Sequence, residues 1–362
     1  MGKVGRATVP AVTGRRGSRP YSGCRSLITG IWLTLQSSQL PGTSDKRLSI
    51  IDERPELNGI IIIDKPVGIT SAKVVSIVKK TFNAKKAGHA GTLDPFAEGV
   101  LICCVNQATR LADFLLHGTK KYIAELKLGE ETDTQDLTGT VISATEPENY
   151  SIEILQKVFK AFEGSLEQLP PVYSALKHKG VPLYKLARSG KPVQKPPRQV
   201  EIYSIAILDI ALPLIRFEVS CSAGTYIRTL GTDIGKMLGC GGHLNALKRT
   251  ASSGFTLDQA VSLPALKNLT PGTQQPEKFI RMADALPEMP TCRADTLLVK
   301  KIRHGQMITA RDLTGAGGFD TGRISGSKIK VVDQTEELVA ILDYQGHDQR
   351  LNYCCVFPKQ NA

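Results

Sequence analysis

The sequence predicts an α+β protein that ends in a small all-β module. Two observations predict it. Between Gly59 and Thr250, short apolar or alternating runs of strand character are interleaved with segments whose apolar residues recur at helical spacing. After about Pro290 only short runs separated by turn residues remain, over about 70 residues.

Taken in order, Gly59–Ile63 reads as a buried strand and Asp64-Lys65-Pro66-Val67-Gly68 as a turn. Thr70 or Ser71 then caps a helix with Val74, Val75, Val78 and Phe82 on one face. Gly88 to Pro95 forms a polar loop with two glycines, and Gly99–Val105 is another apolar strand. In Lys121–Leu128 the residues Tyr122, Ala124, Leu126 and Leu128 alternate onto one face. Ser151 opens a helix with Ile152, Leu155, Val158, Phe159 and Phe162 inward, and Gly164 stops it.

Residues 168–200 differ from what precedes them. They hold six prolines and seven Lys or Arg, a long basic excursion of the kind that is functional or disordered. Ile215, Phe217, Val219 and Cys221 then alternate as a strand that runs into Gly224-Thr225-Tyr226-Ile227-Arg228. A helix follows, with Leu230, Ile234 and Leu238 in step and Gly239 at its end; His243–Thr250 continues to a basic tip, Lys248-Arg249. The chain loosens at 270–277, and Lys328–Val332 and Leu338–Leu342 are the clearest strands of the tail.

Composition narrows the function. The 362 residues are 41% hydrophobic, enough for a sizeable core, and no apolar run approaches the roughly 20 residues of a membrane span. No fixed period indicates a coiled coil, collagen or repeat array. The 46 Lys and Arg against 34 Asp and Glu leave a net charge of +12, which favours a polyanionic partner, most simply nucleic acid. A generic basic protein is the alternative. Half of that excess lies before Asp45, in a stretch with six basic residues and no acid. We expect residues 1–55 to be a disordered basic extension: a transit peptide, a solvated arm or translated upstream sequence. The eight cysteines form no C-x-x-C pair and read as buried reduced thiols; Cys240 and His243 lack a second half-site, so no metal or cofactor is assigned.

Asp94 stands directly before Pro95 in the glycine-containing loop. An Asp-Pro pair can simply start a turn. The alternative is chemical: a carboxylate can attack an anomeric carbon or stabilise an oxocarbenium ion. It must be ionised to do so, and an arginine held against it favours that form. Arg228 is a candidate partner, although spacing does not place it there. His89, Tyr122 and Tyr226 add unusual chemistry nearby, where a lone Tyr on a strand would otherwise read as core.

At these residues the sequence resembles a known family. NGIIIIDKPVGITS, KKAGHAGTLDPFAEGVL, QATRLADFLL, KKYIAELKLGEETDTQDLTG, PPVYSALKHKGVPLYKLAR, GTYIRTLGTDIG and GGHLNALKRT follow one another across about residues 57–265. Together they resemble the TruB family of tRNA pseudouridine synthases, in its bacterial and organellar branch. The resemblance implies a pseudouridine synthase catalytic domain with a mixed, mostly antiparallel sheet over residues 56–288. It implies isomerisation of uridine-55 in the T arm of tRNA after base flipping, with no cofactor. Matched to the motifs, Asp94 would be the nucleophile and Tyr122 would pack on the flipped base and be a candidate for removing its C5 proton. Arg228 would pair with the carboxylate. His89, Tyr226, Leu247 and Lys65 would serve RNA binding or the pocket around it, Lys65 by supporting the catalytic loop. Arg110 stands where the bacterial branch has Lys, and either cation suits a phosphate or carboxylate. The excursion 168–200 resembles an RNA-binding insertion, and 291–358, through HGQMI and GSKIKVVDQTEELVAILDY, resembles a PUA-like RNA-binding barrel with an insertion at Gly315–Gly322. The expected enzyme is a cytoplasmic monomer acting on tRNA without a membrane. A tRNA-folding chaperone and a guide-RNA-dependent subunit are the alternatives.

Overall fold

A computed structural model describes residues 56–268, 277–317, 327–345 and 350–359. The expected basic extension, most of 270–277, Cys24 and much of Gly315–Gly322 lie outside the described residues.

The body is built on one large sheet. Its strands run in the order Val261–Ser262, Gly59–Lys65, Glu98–Val105, Gly242–Ser252, Lys120–Leu128, Leu214–Cys221, Arg198–Ala211 and Gly164–Gln168. Ala87–His89, Phe255–Thr256 and Phe279–Arg281 pair at its side. Two of the pairings are parallel, Gly59–Lys65 with Val261–Ser262 and Glu98–Val105 with Gly242–Ser252; the rest are antiparallel. The sheet is therefore mixed and mostly antiparallel.

Burial explains the sequence patterns. Ile61 and Ile63 join one apolar cluster and Ile60 and Ile62 another. The strand is covered on both faces, so its apolar run is continuous. It extends through Lys65, and the turn is confined to Val67-Gly68. In Lys120–Leu128 the residues Tyr122, Ala124, Leu126 and Leu128 are buried in alternation, as expected. Helix Ser71–Thr81 starts under a cap in which the Thr70 hydroxyl accepts from the Lys73 amide at 3.2 Å, and it buries Val74 and Val78. Helix Ile152–Lys160 buries Leu155 and Phe159, but Ile152, expected inward, is 56% exposed because the first helical residue stands outside that contact.

Two segments differ from the reading of the sequence. His243–Thr250, to which the sequence reading assigns no element, lies within the strand Gly242–Ser252, and Arg249, read as part of a basic tip, is 1% exposed. The C-terminal module has a five-stranded sheet, ordered Thr291–Arg293, Ser327–Val332, Leu338–Tyr344, Arg350–Val356 and Ile308–Thr309. It also carries helices Thr296–Arg303 and Ala310–Gly317, so it is a β module with two short helices. Asp295 caps the first, accepting from the Leu298 amide at 2.7 Å, while Leu298, Val299 and Ile302 turn inward. Val332, Leu338, Ile341 and Phe357 of this module share an apolar cluster with Ile60, Ile62, Val100 and Ile102 of the large sheet. The described cysteines are free; Cys354 is exposed, against the expectation of a buried thiol, because it sits in the last strand where Leu351 alone is fully covered.

Candidate active site

The loop after strand Ala87–His89 carries Asp94, and the surrounding chain holds it from three directions. The Ser71 hydroxyl lies 2.9 Å from both the amide nitrogen and the carbonyl oxygen of Leu93, accepting from one and donating to the other. The Gly68 amide donates to Pro95 O at 2.7 Å, and the Ala97 amide to Asp94 O at 3.2 Å. Lys65 is fully buried and donates to Pro66 O at 2.9 Å, Ile69 O at 2.8 Å and Pro95 O at 3.4 Å. Burial lowers its pKa to about 8, against the pull of Asp94 and Glu98.

Arg249 holds the loop from beneath. Its Nε donates to Val100 O at 2.8 Å, Nη2 to Gly91 O at 3.0 Å and Nη1 to Thr92 O at 3.5 Å. Gly99 makes this approach possible: it has φ +101°, and a Cβ there would stand 2.2 Å from Arg249 O. In the neighbouring strand Tyr122 is the register partner of Arg249. Burial raises the Tyr122 pKa, and the Arg249 guanidinium opposes the rise.

Arg228 comes from helix Ile227–Met237 and is 3% exposed. Its Nε is 2.9 Å from Asp94 Oδ2, an ion pair whose N–H is not aligned as a hydrogen bond. Nη1 donates to Thr134 O at 2.7 Å and Nη2 to Tyr173 O at 2.8 Å. A second carboxylate, Asp136 Oδ2, lies 3.7 Å from Nη1. The Asp136 carboxylate is itself held, accepting from the Thr138 amide at 2.9 Å and the Thr134 hydroxyl at 2.8 Å. A buried cation thus meets two acids and two carbonyls, and the Asp94 side chain remains about a third exposed to the cleft.

Asp94, Tyr122, Tyr226, Arg228, Leu247 and Arg249 line one cleft of about 470 Å³, within the size range of small-molecule sites. Gln168 fixes Tyr226 from the edge strand: the Tyr226 amide donates to Oε1 at 2.7 Å, and Nε2 donates to Tyr226 O at 3.0 Å.

Five of the eight residues singled out from the sequence therefore meet at the cleft, and three do not line it. Lys65 is fully buried beneath the loop, where its ammonium donates to Pro95 O, and does not reach the cleft. His89 pairs with Cys103 in strand register; its Nδ1 is buried without a partner, and burial with the nearby Arg249 charge lowers its pKa. Arg110 is exposed and donates to Val356 O at 2.5 Å, tying the body to the C-terminal module. Sequence reasoning did not find Arg249, Gln168, Ser71 or Asp136. For Arg249 the signal was obscured by register shifts on either side, between Leu244 and Ala246 and between Arg249 and Ala251, which break the alternation a strand would show. Among the described residues, no group of three His, Cys, Asp or Glu side chains could hold a metal ion.

Residues 79–227 match the TruB family pseudouridylate synthase (N terminal domain), and residues 228–286 match the tRNA pseudouridylate synthase B C-terminal domain. The chain is 42% identical to tRNA pseudouridine synthase B of Geobacter sulfurreducens over 76% of its length and 90% of that protein. It is 50% identical to the protein of that name from Francisella philomiragia, over 60% of this chain and 72% of that one. Among solved structures, a chain from a Cbf5–Nop10–Gar1 complex is 27% identical with a TM-score of 0.64, covering 83% of this chain and 85% of that chain. Another, from an H/ACA RNP bound to a substrate RNA containing 2′-deoxyuridine, is 26% identical with a TM-score of 0.61, covering 84% and 86%.

Proposed function

The chain belongs to the TruB family of pseudouridine synthases, and from that premise we propose that it isomerises uridine-55 of the tRNA T arm, with Asp94 as nucleophile. A tRNA pseudouridine synthase is an isomerase: the N1–C1′ bond breaks, the base turns, and a C5–C1′ bond forms. The C5 proton leaves and N1 gains one, so atoms and electrons balance. The observation that carries the reading is the Asp94–Arg228 ion pair at the floor of the cleft. The carboxylate is accessible while its counter-ion is buried, so the negative charge is held in place and still free to meet the anomeric carbon.

The other residues take their parts around it. The uridine leaves its stack, at a cost of a few kcal/mol, and its base packs against Tyr122, with Tyr226 and Leu247 as the remaining walls. Tyr122 takes the C5 proton in the last step; burial raises its pKa and so works against the phenolate, and the Arg249 charge beside it offsets part of that rise. Lys65 keeps the loop in place. His89 lies on the approach to the loop and Arg110 at the seam with the C-terminal module, where each meets RNA outside the cleft. We divide the chain into a catalytic domain over 56–288, with the RNA-binding excursion 168–200, and a PUA-like domain over 291–358. The enzyme acts as a cytoplasmic monomer.

The test is pseudouridine formation, mapped by position, on an unmodified tRNA transcript without added RNA or metal. Wild type is expected to modify uridine-55 and Asp94→Asn to leave it unmodified. Product at another position would overturn the assigned site. No product, with tRNA still bound, would favour a guide-dependent or chaperone role.

A further inference from the structure

Four Lys or Arg side chains line the cleft, and three of them are already occupied by protein. Arg228 and Arg249 spend their donors on the carbonyls and acids described above. Lys120 donates to Leu116 O and Gly118 O, both at 2.6 Å. The fourth, Arg198, has no hydrogen-bond or ion-pair partner among the described residues, and its Nε is shut from solvent. It lies over Tyr226, with Cζ 4.5 Å from the ring centroid. Gly224 leaves room for that stack: a Cβ there would stand 3.3 Å from Cζ.

Stacking uses the face of a guanidinium, whereas its hydrogen bonds leave from the rim. Tyr226 thus orients the Arg198 fork without consuming a donor. A second polar group from the same excursion shares the situation. The Ser174 hydroxyl belongs to a residue that lines the cleft and is 3% exposed, and it too has no partner. Leaving such buried groups unpaired costs stability, a cost that a ligand can recover. An unpaired planar fork matches phosphate, which it can meet with two parallel bonds.

We infer that Arg198 binds a backbone phosphate of the flipped nucleotide and that Ser174 hydrogen-bonds the same nucleotide. This rests on the reading that the cleft receives a flipped uridine. The excursion then does more than add positive charge: its two ends deliver specific ligands to the reacting nucleotide, one directly beside the residue that gives Arg228 its Tyr173 carbonyl.

Equilibrium binding of full-length tRNA over a salt series tests this, with Asp94→Asn as background so that no turnover intervenes. Arg198→Gln is expected to weaken binding about tenfold or more and to make the plot of log affinity against log salt shallower by about 0.7–0.9. Arg198→Lys retains the wild-type slope. Ser174→Ala weakens binding about threefold to tenfold with the slope unchanged. An unaltered slope in Arg198→Gln would overturn the phosphate contact, even if Arg198→Gln made with Asp94 intact shows a fall in single-turnover rate, since that pattern means Arg198 only orients Tyr226. Wild-type affinity in Ser174→Ala would overturn the second contact. If Arg198→Gln melts early, Arg198→Met, which keeps the packing on Tyr226, reads the same slope. Modification at a position other than uridine-55 would refute the proposed target and leave this measurement interpretable.

Discussion

On one side of the cleft, the loop bearing Asp94 is held by Ser71, Gly68, Lys65 and Arg249, so that its main chain has few places to move. On the other side, the excursion offers Arg198 and Ser174 with their polar atoms unclaimed. Between the sheet strands that end at Gln168 and begin at Arg198, it holds a two-stranded hairpin, Lys177–His178 with Val181–Pro182, and the helix Leu183–Arg188. On the proposed function, the difference follows from what each side must do. A carboxylate aimed at one carbon gains from being placed before the substrate arrives. Groups that recognise RNA gain from being unsatisfied until it does.

The largest effect should come from the preorganised side. Asp94→Asn keeps the shape of the side chain and removes its charge, and turnover should fall by about a thousandfold or more while tRNA affinity changes by less than about threefold. A loss of affinity that matched the loss of rate would show that the carboxylate is a binding group and erase the contrast between the walls.

Arg249→Met comes next. It leaves the carbonyls of Gly91, Thr92 and Val100 without their donor. Displacing a reacting group by an ångström can cost about a hundredfold, so single-turnover rate should fall by that order with little change in tRNA affinity. Arg249→Lys should recover only part of it, since a point charge cannot span three carbonyls. Equal rates in all three proteins would mean that the loop stands without its support. Ser71→Ala should cost about 1–3 kcal/mol of stability, measured by denaturant titration, because it strands the buried Leu93 amide and carbonyl.

Lys65 sharpens the comparison through pH. Its folded pKa of about 8 lies below the value near 10.4 of an unfolded chain. Below pH 8 both states hold the proton, and the full cost of burying the charge is present. Between about pH 8 and 10.4 the unfolded state binds more protons, so stability rises with pH. Wild type should therefore gain stability relative to Lys65→Met across that window; a constant difference would mean that the ammonium is not desolvated. The smallest effect should be that of Arg110→Ala at the seam with the C-terminal module. The side chain is exposed and makes one hydrogen bond to Val356 O, so a loss of about 1 kcal/mol or less and an unchanged single-turnover rate are expected.

Much of this was legible from the residues. The alternation through Tyr122, Ala124, Leu126 and Leu128 survives folding because that strand is covered on one face. The Gly59–Ile63 run is unbroken because both faces are covered. Asp94 and Arg228 were marked by their motifs. The two helices of the C-terminal module escaped notice because each is only eight residues long, too short for a repeating apolar face to stand out.

The local periodicities of the sequence, set by which faces of each strand and helix meet water, determined the α+β class, most elements of the body and the motif that carries Asp94. Tertiary structure alone decided which charges are used up. Arg198, Arg228 and Arg249 are the same residue type within about 50 positions of one another. One clamps the Asp94 carboxylate, one braces its loop and one is left free. That outcome depends on which carbonyls and carboxylates the sheet brings within 3 or 4 Å, across separations of over a hundred residues for Arg228–Asp94 and Arg249–Val100. Hydrogen bonds and ion pairs act only at such distances, and no local pattern in the chain records them.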